Sequence, residues 1–347
     1  MNSVAKKLKI YPAIYHNKFF PLTKSVRFYP MSFKKKLIPK IWGGKKLEKF
    51  FSSKSFEKNY GESWEVSVIR GFESVVNKGV FKNKKLDKLI EKYPIEILGA
   101  GVYKKYGLNF PLLIKFIDVN KPLSIQVHPN DEKARVRHNS FGKSEMWFII
   151  ETEKNANISL GFSKKIDKNI FKENLNKKTV DTILNFFKVE PKDAFYVPAG
   201  TVHSLNGKML LLEVQQSSDI TYRIYDYERL DSKTGKKRKL HVKSAISSIN
   251  FSDIKHEKIK YQSHENKLNP IIENTFFKSY YLKINDRESQ EIFMDSSFWI
   301  LVCLKGSVTI SYKTKKYSFK KGETFLIPAI LKTINIEGCA EIIGITN

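Results

Sequence analysis

Pro122-Leu-Ser-Ile-Gln-Val-His-Pro-Asn130 sets polar groups at every second position, Ser124, Gln126 and His128, inside an otherwise apolar stretch of a 347-residue chain. Successive side chains of an extended strand point to opposite faces, so these three share one face. Two further strings carry related chemistry. Gly142-Lys-Ser-Glu-Met-Trp-Phe-Ile-Ile150 contains Glu145, and Val197-Pro-Ala-Gly-Thr-Val-His-Ser-Leu205 contains His203. The three strings offer two imidazoles, a carboxylate and a carboxamide.

Zinc takes nitrogen and oxygen donors, and a catalytic zinc site keeps one position open for water or substrate. Gln126, His128, Glu145 and His203 therefore form a candidate shell for one zinc ion. Each also has an ordinary reading. A single histidine in a barrel is usually a satisfied core group, a single glutamate a surface carboxylate, and Gln126 a carboxamide that orients a ligand from behind. The strings PLSIQVHPND, GKSEMWFII, YVPAGTVHSL and QQSSDITYRIYDYERLD, in that order, resemble type I mannose-6-phosphate isomerases of the shorter bacterial branch, within the cupin superfamily. The resemblance runs from about Tyr29 to the C-terminus and takes in Ile41-Trp-Gly-Gly44 and Gly61-Glu-Ser-Trp64. It implies zinc on Gln126, His128, Glu145 and His203, an active-site arginine at Arg223, and a monomer.

The expected fold is mainly β, with two cupin-type jelly-roll domains and small helical insertions. Residues 1–28 read as a basic extension, 29–240 as the catalytic metal-binding domain, and 241–347 as a second cupin-like domain without metal ligands. Apolar residues at helical spacing, Leu86, Leu89, Ile90, Ile95 and Leu98, predict one or two short helices within 82–105. Ile166, Ile170, Phe171, Leu175, Ile183 and Leu184 predict a helical insertion over 164–187. An internal echo aligns Asp193-Ala-Phe-Tyr-Val-Pro-Ala199 with Glu323-Thr-Phe-Leu-Ile-Pro-Ala329, which sets His203 against Thr333. The second copy keeps the strand and lacks the ligand.

Composition narrows the classes. Hydrophobic content of 41% suits a folded core and argues against disorder. No apolar run approaches the ~20 residues that span a bilayer, so a soluble, cytoplasmic protein without membrane partners is expected. Cys303 and Cys339 read as a buried, reduced pair in apolar strands. The formal charge of +27 raises the question of nucleic acid. The lysines are spread along the chain, however, and no nucleic-acid motif accompanies them. A solvated basic surface that helps attract a phosphorylated sugar is the reading adopted. The first 47 residues hold no Asp or Glu but form no secretory apolar core, so a disordered extension or an internal start at Met31 is expected, with an organelle transit peptide as the alternative.

The same alternation predicts neighbours. Lys143, Glu145 and Trp147 share a face, as do Thr201 and His203, and Thr221, Arg223 and Tyr225. These groups suit a phosphorylated, polyhydroxylated substrate. The expected reaction is the zinc-dependent interconversion of D-mannose 6-phosphate and D-fructose 6-phosphate through an enediol or enediolate. Arg223 and Lys143 serve as catalytic groups, and Ser124 and Lys115 as substrate contacts. From spacing alone, Arg223 could equally pair with Asp226 or Glu228. Trp42, Trp64 and Trp147 read as core residues or as sugar-stacking groups. His138, His241, His256 and His264 carry no motif and are assigned no role. Competing functions are a cupin non-haem iron oxygenase, since two histidines and a carboxylate also make a facial triad, and a sugar-phosphate-binding protein without turnover.

Overall fold

The computed structural model describes residues 27–52, 56–231, 234–252, 255–285, 289–294 and 296–347. The basic extension read from the sequence lies outside them except for its last two residues.

Three antiparallel sheets build the molecule. Strands Lys36–Gly44, Tyr60–Val66, Leu112–Val119, Met209–Gln216, Glu145–Thr152 and Ala194–Val197 pair in that order into a six-stranded sheet. A five-stranded sheet runs Tyr222–Tyr225, Ile125–Val127, His203–Asn206, Asn157–Phe162 and Leu184–Lys188. Alternation along Leu112–Val119 explains how these layers meet. Ile117 and Val119 face the five-stranded sheet and pack with Trp147, Ile149, Ile158, Leu160 and Leu205. Ile114 and Phe116 face the other way and join Phe298, Ile300, Val302, Ile343 and Ile345 of the third sheet. The central strands Leu112–Val119 and Met209–Gln216 are thus buried on both faces, which is why they read as nearly continuous apolar runs.

The third sheet has eight strands, built on Trp299–Tyr312 and Thr333–Thr346 with Thr324–Ile327, Lys278–Ile284 and others alongside. Its own interior holds Leu282, Ile292, Trp299, Leu301, Phe325, Ile327, Ile336 and Ile342. Side chains of this kind close the second barrel with hydrocarbon, and Thr333 lies on its strand opposite Phe293.

The structure departs from the sequence reading in detail: of the two cysteines read as buried, Cys303 is buried and Cys339 is exposed. Met31–Ser32, placed by the sequence in the first domain, pairs with Thr324–Ile327 of the third sheet, where Met31 is fully buried. Residues 82–105 form three short helices, Leu86–Lys92, Pro94–Leu98 and Ala100–Tyr106, broken at Pro94 and at Gly99. Gly99 has φ +86° and lies against the Ser296 carbonyl, so no other residue fits there without strain. Within 164–187 only Lys168–Asn176 is α-helical. A 3₁₀ turn at Val180–Ile183 follows, and Leu184–Lys188 is a strand on the free edge of Asn157–Phe162. A short apolar run fits either period, and the available edge decides it.

The glycine-rich motifs near the start have a packing reason. A Cβ on Gly43 would meet Gly61 N at 2.5 Å, and one on Gly44 would meet Asp118 Oδ1 at 2.5 Å. The close approach positions Asp118 Oδ2 to accept from Leu47 N at 3.0 Å. It thereby caps the helix Lys46–Phe50, which has no side-chain cap of its own. No helix among the described residues is long and apolar enough to cross a membrane.

Candidate metal centre

Three ligand candidates come from three strands and converge. His203 opens His203–Asn206 and sits directly across from Gln126 on Ile125–Val127. Glu145 opens its strand in the facing sheet, and His128 follows Ile125–Val127. Ligating atoms of His128, Glu145 and His203 all lie within 4.8 Å of one another, and all three residues are buried.

Backbone carbonyls set the tautomers. His128 Nδ1–H donates to Ile220 O at 2.8 Å, and His203 Nδ1–H donates to Thr201 O at 2.9 Å. A carbonyl only accepts, so each Nε2 keeps its lone pair. Those lone pairs face the Glu145 carboxylate, with His128 Nε2 and His203 Nε2 each 3.6 Å from one of its oxygens. Acceptors thus point at acceptors. Glu145 Oε1 is buried and has no hydrogen-bond partner among the described residues. Lys143 and the Gln126 amide stand beside the two Nε2 atoms, but neither reaches Glu145 Oε1, and two imidazole nitrogens with a carboxylate oxygen are donors that a divalent metal takes. Burial depresses both imidazoles, His203 to about 3 and His128 well below its ordinary value, so both stay neutral as ligands must. Burial also drives the Glu145 carboxyl up to about 7 against the pull of Lys143.

Lys143 supplies positive charge at this point in the structure. Its ammonium donates to Glu145 Oε2, lies 3.1 Å from His128 Nε2 and is 3.8 Å from Glu213 Oε1. Gln126 turns its Nε2 toward His203 Nε2 at 3.2 Å, while Ser124 Oγ donates to its Oε1 at 3.4 Å. For Gln126 to offer oxygen to a metal, its amide must rotate. Lys115 is buried against Glu213 Oε2 at 3.2 Å and over the Trp64 ring at 4.8 Å. Ser124 and Lys115 thus line the site, but both are engaged by protein partners.

Arg223 lies opposite Gln126 in the sheet. Asp226 takes Arg229 and Arg238, and Glu228 takes Lys237 and Lys178, so neither carboxylate is the partner of Arg223. Its Nη1 donates to Lys239 O at 2.9 Å, and its buried Nε has no partner among the described residues.

Sequence reasoning missed Glu213 and Glu62. Burial would raise Glu213, but Lys143 and Lys115 bring it down to about 2. Glu62 takes Lys40 at 3.0 Å and the Trp64 indole at 2.8 Å. The available signal was a lone acidic residue on the inward face of an apolar strand, Met209-Leu-Leu-Leu-Glu-Val-Gln-Gln216. Trp42, Trp64 and Trp147 are all core residues.

Fold and site define a double-cupin protein with a buried His-Glu-His centre suited to one metal ion. The comparisons make this specific. Residues 31–158 match the model for the catalytic domain of phosphomannose isomerase type I, and residues 267–347 match the cupin domain of mannose-6-phosphate isomerase. Mannose-6-phosphate isomerase ManA of Bacillus subtilis is 34% identical over 82% of this chain and 88% of its own length. The mannose-6-phosphate isomerase of Streptococcus mutans is 31% identical over 82% and 87%. The crystal structure of the Bacillus subtilis mannose 6-phosphate isomerase superposes with a TM-score of 0.83 at 33% identity, covering 91% of this chain and 99% of that one. The chain belongs to the type I mannose-6-phosphate isomerases, an enzyme family.

Proposed function

We propose that the chain interconverts D-mannose 6-phosphate and D-fructose 6-phosphate with one zinc ion held by His128, Glu145 and His203, and by Gln126 after rotation of its amide. The observation that carries this reading is the convergence of two imidazole lone pairs and an orphaned carboxylate oxygen on one buried point. Zinc there supplies Lewis-acid polarisation of the substrate oxygens. Isomerisation moves one proton between C1 and C2 through an enediol or enediolate, so negative charge grows on oxygen as the carbon proton leaves. Lys143 and Arg223 meet that charge, Lys143 as a compact ammonium beside the ligands and Arg223 through its unpartnered Nε. Lys115 and Glu213 hold the floor beneath Lys143. Ser124 orients Gln126 and reaches the substrate with its remaining lone pairs.

The test is a coupled assay with mannose 6-phosphate before and after chelation, with zinc added back, on the parent and on His203→Ala. Activity lost on chelation and restored by zinc in the parent alone supports the reading. Metal-replete protein without isomerisation overturns it. Oxygen consumption by such protein would point instead to the two-histidine, one-carboxylate oxygenases.

A further inference from the structure

Arg223 belongs to Tyr222–Tyr225, the outermost strand of the five-stranded sheet. One side of this strand pairs with Ile125–Val127. On the other side residues 239–241 stand in for a neighbouring strand. His241 N–H donates to Arg223 O at 2.7 Å, and Arg223 N–H donates to the His241 ring at Nδ1, 3.2 Å away. The imidazole nitrogen thus occupies the place of a strand carbonyl. The third bond comes from the guanidinium, whose Nη1 donates to Lys239 O. Backbone and head group of one arginine are held by two residues of one short segment, His241 and Lys239.

We infer that His241 is the positioning residue of Arg223, a role that rests on the proposed action of Arg223 in the isomerisation. A backbone N–H only donates, so His241 Nδ1 must be the bare nitrogen of a neutral ring. Burial, followed by the adjoining charges of Arg223 and Lys239, lowers the pKa of the ring and keeps it in that form. The residue is itself anchored, because Ala245 N donates to His241 O at 2.8 Å in the first turn of the helix Val242–Ser248. That helix packs on the Arg223 strand. The acidic residues that could have held the guanidinium are committed elsewhere: Asp226 to Arg229 and Arg238, Glu228 to Lys237 and Lys178. Arg223 is therefore held by the 239–241 segment, and its buried Nε keeps no protein partner among the described residues.

Asn places an oxygen at the δ1 position and keeps the acceptor, whereas Leu keeps bulk and loses it. His241→Leu is expected to lower kcat by about tenfold or more, the scale on which small misplacement of a catalytic group acts. KM, metal content and thermal midpoint should stay close to those of the parent, and His241→Asn should recover most of the lost kcat. The decisive arm is a cycle with Arg223→Lys, which keeps a charge but loses the guanidinium fork that binds Lys239 O through Nη1 while presenting Nε. If His241 works through Arg223, His241→Leu costs little in that background. Equal kcat losses in both backgrounds, or Asn no better than Leu, overturn the inference while leaving Arg223 in place. Parental kcat in Arg223→Lys and Arg223→Ala overturns the role of Arg223 itself, and with it the inference.

Discussion

A buried carboxylate oxygen without a donor costs about 1–3 kcal/mol, more when charged, and Glu145 Oε1 stands in that position 3.6 Å from His203 Nε2. Glu145→Gln removes the charge and leaves Lys143 only the more distant Glu213 carboxylate, 3.8 Å away. The expected result is protein that no longer retains stoichiometric metal after dialysis and unfolds about 3 kcal/mol more easily in denaturant. Elemental analysis and urea melts would both have to match the parent for this account to fail. Gln126 is held less directly, since its amide now donates to His203. Gln126→Leu should weaken metal retention about 10–100-fold in chelator competition without abolishing it; a loss as complete as in Glu145→Gln would make the carboxamide an equal partner. At this scale the candidate cluster His128, Glu145 and His203 was legible because alternation and recognisable strings coincide on it. Glu213 was not, because one acid in an apolar strand has no motif and its meaning depends on Lys115 of the neighbouring strand and on Lys143 ahead of Glu145–Thr152. His241 was invisible for a different reason: its partners are backbone groups, which no side-chain pattern records.

Strand Leu112–Val119 shows how one element serves two tasks. Its inward face presents Lys115 to the site, and its outward face presents Asp118 to the N-terminus of Lys46–Phe50. Burial raises the Asp118 carboxyl from 3.8 to about 6, and Oδ1 has no partner among the described residues. The sign follows from proton counting. Between pH 4 and 6 the folded chain holds more protons on this group than the unfolded chain, so the group costs stability as pH rises through that window and adds it back as pH falls. The difference is about 3 kcal/mol at neutral pH. Asp118→Asn keeps an acceptor for Leu47 N, so it should stabilise the chain at pH 7.5 and gain little at pH 4.5, as read by urea melts at both values. An equal effect at both pH values would mean that the carboxylate is not the titrating group. The strand itself was legible from its apolar run. Leu184–Lys188 was read as helix because its few apolar residues fit both periods, and only the free edge of Asn157–Phe162 separates the two.

For the whole molecule, the seam between the sheets decides how the halves depend on each other. Phe110 lies 4.8 Å from Phe298, and both are fully buried in a core that also takes Leu112, Ile114 and Phe116 from the six-stranded sheet and Ile300, Ile343 and Ile345 from the eight-stranded one. A second cupin module was legible from the internal echo. The seam was not, because a strand buried on both faces looks the same whatever covers its second face. Such an apolar junction leaves neither half a stable surface of its own, so the chain should unfold in one step. With Trp299→Phe the remaining tryptophans, Trp42, Trp64 and Trp147, all report on the first two sheets, while far-UV circular dichroism reports on all three. The two signals should then fall together in urea, as two-state unfolding requires. Phe298→Ala should shift both by the same amount, about 3–5 kcal/mol, and lower the temperature at which isomerase activity is lost. If the dichroism falls first and tryptophan emission holds, the modules unfold separately, and the second is an appendage instead of a wall that keeps the strands behind Lys115, Glu145 and Glu213 in place.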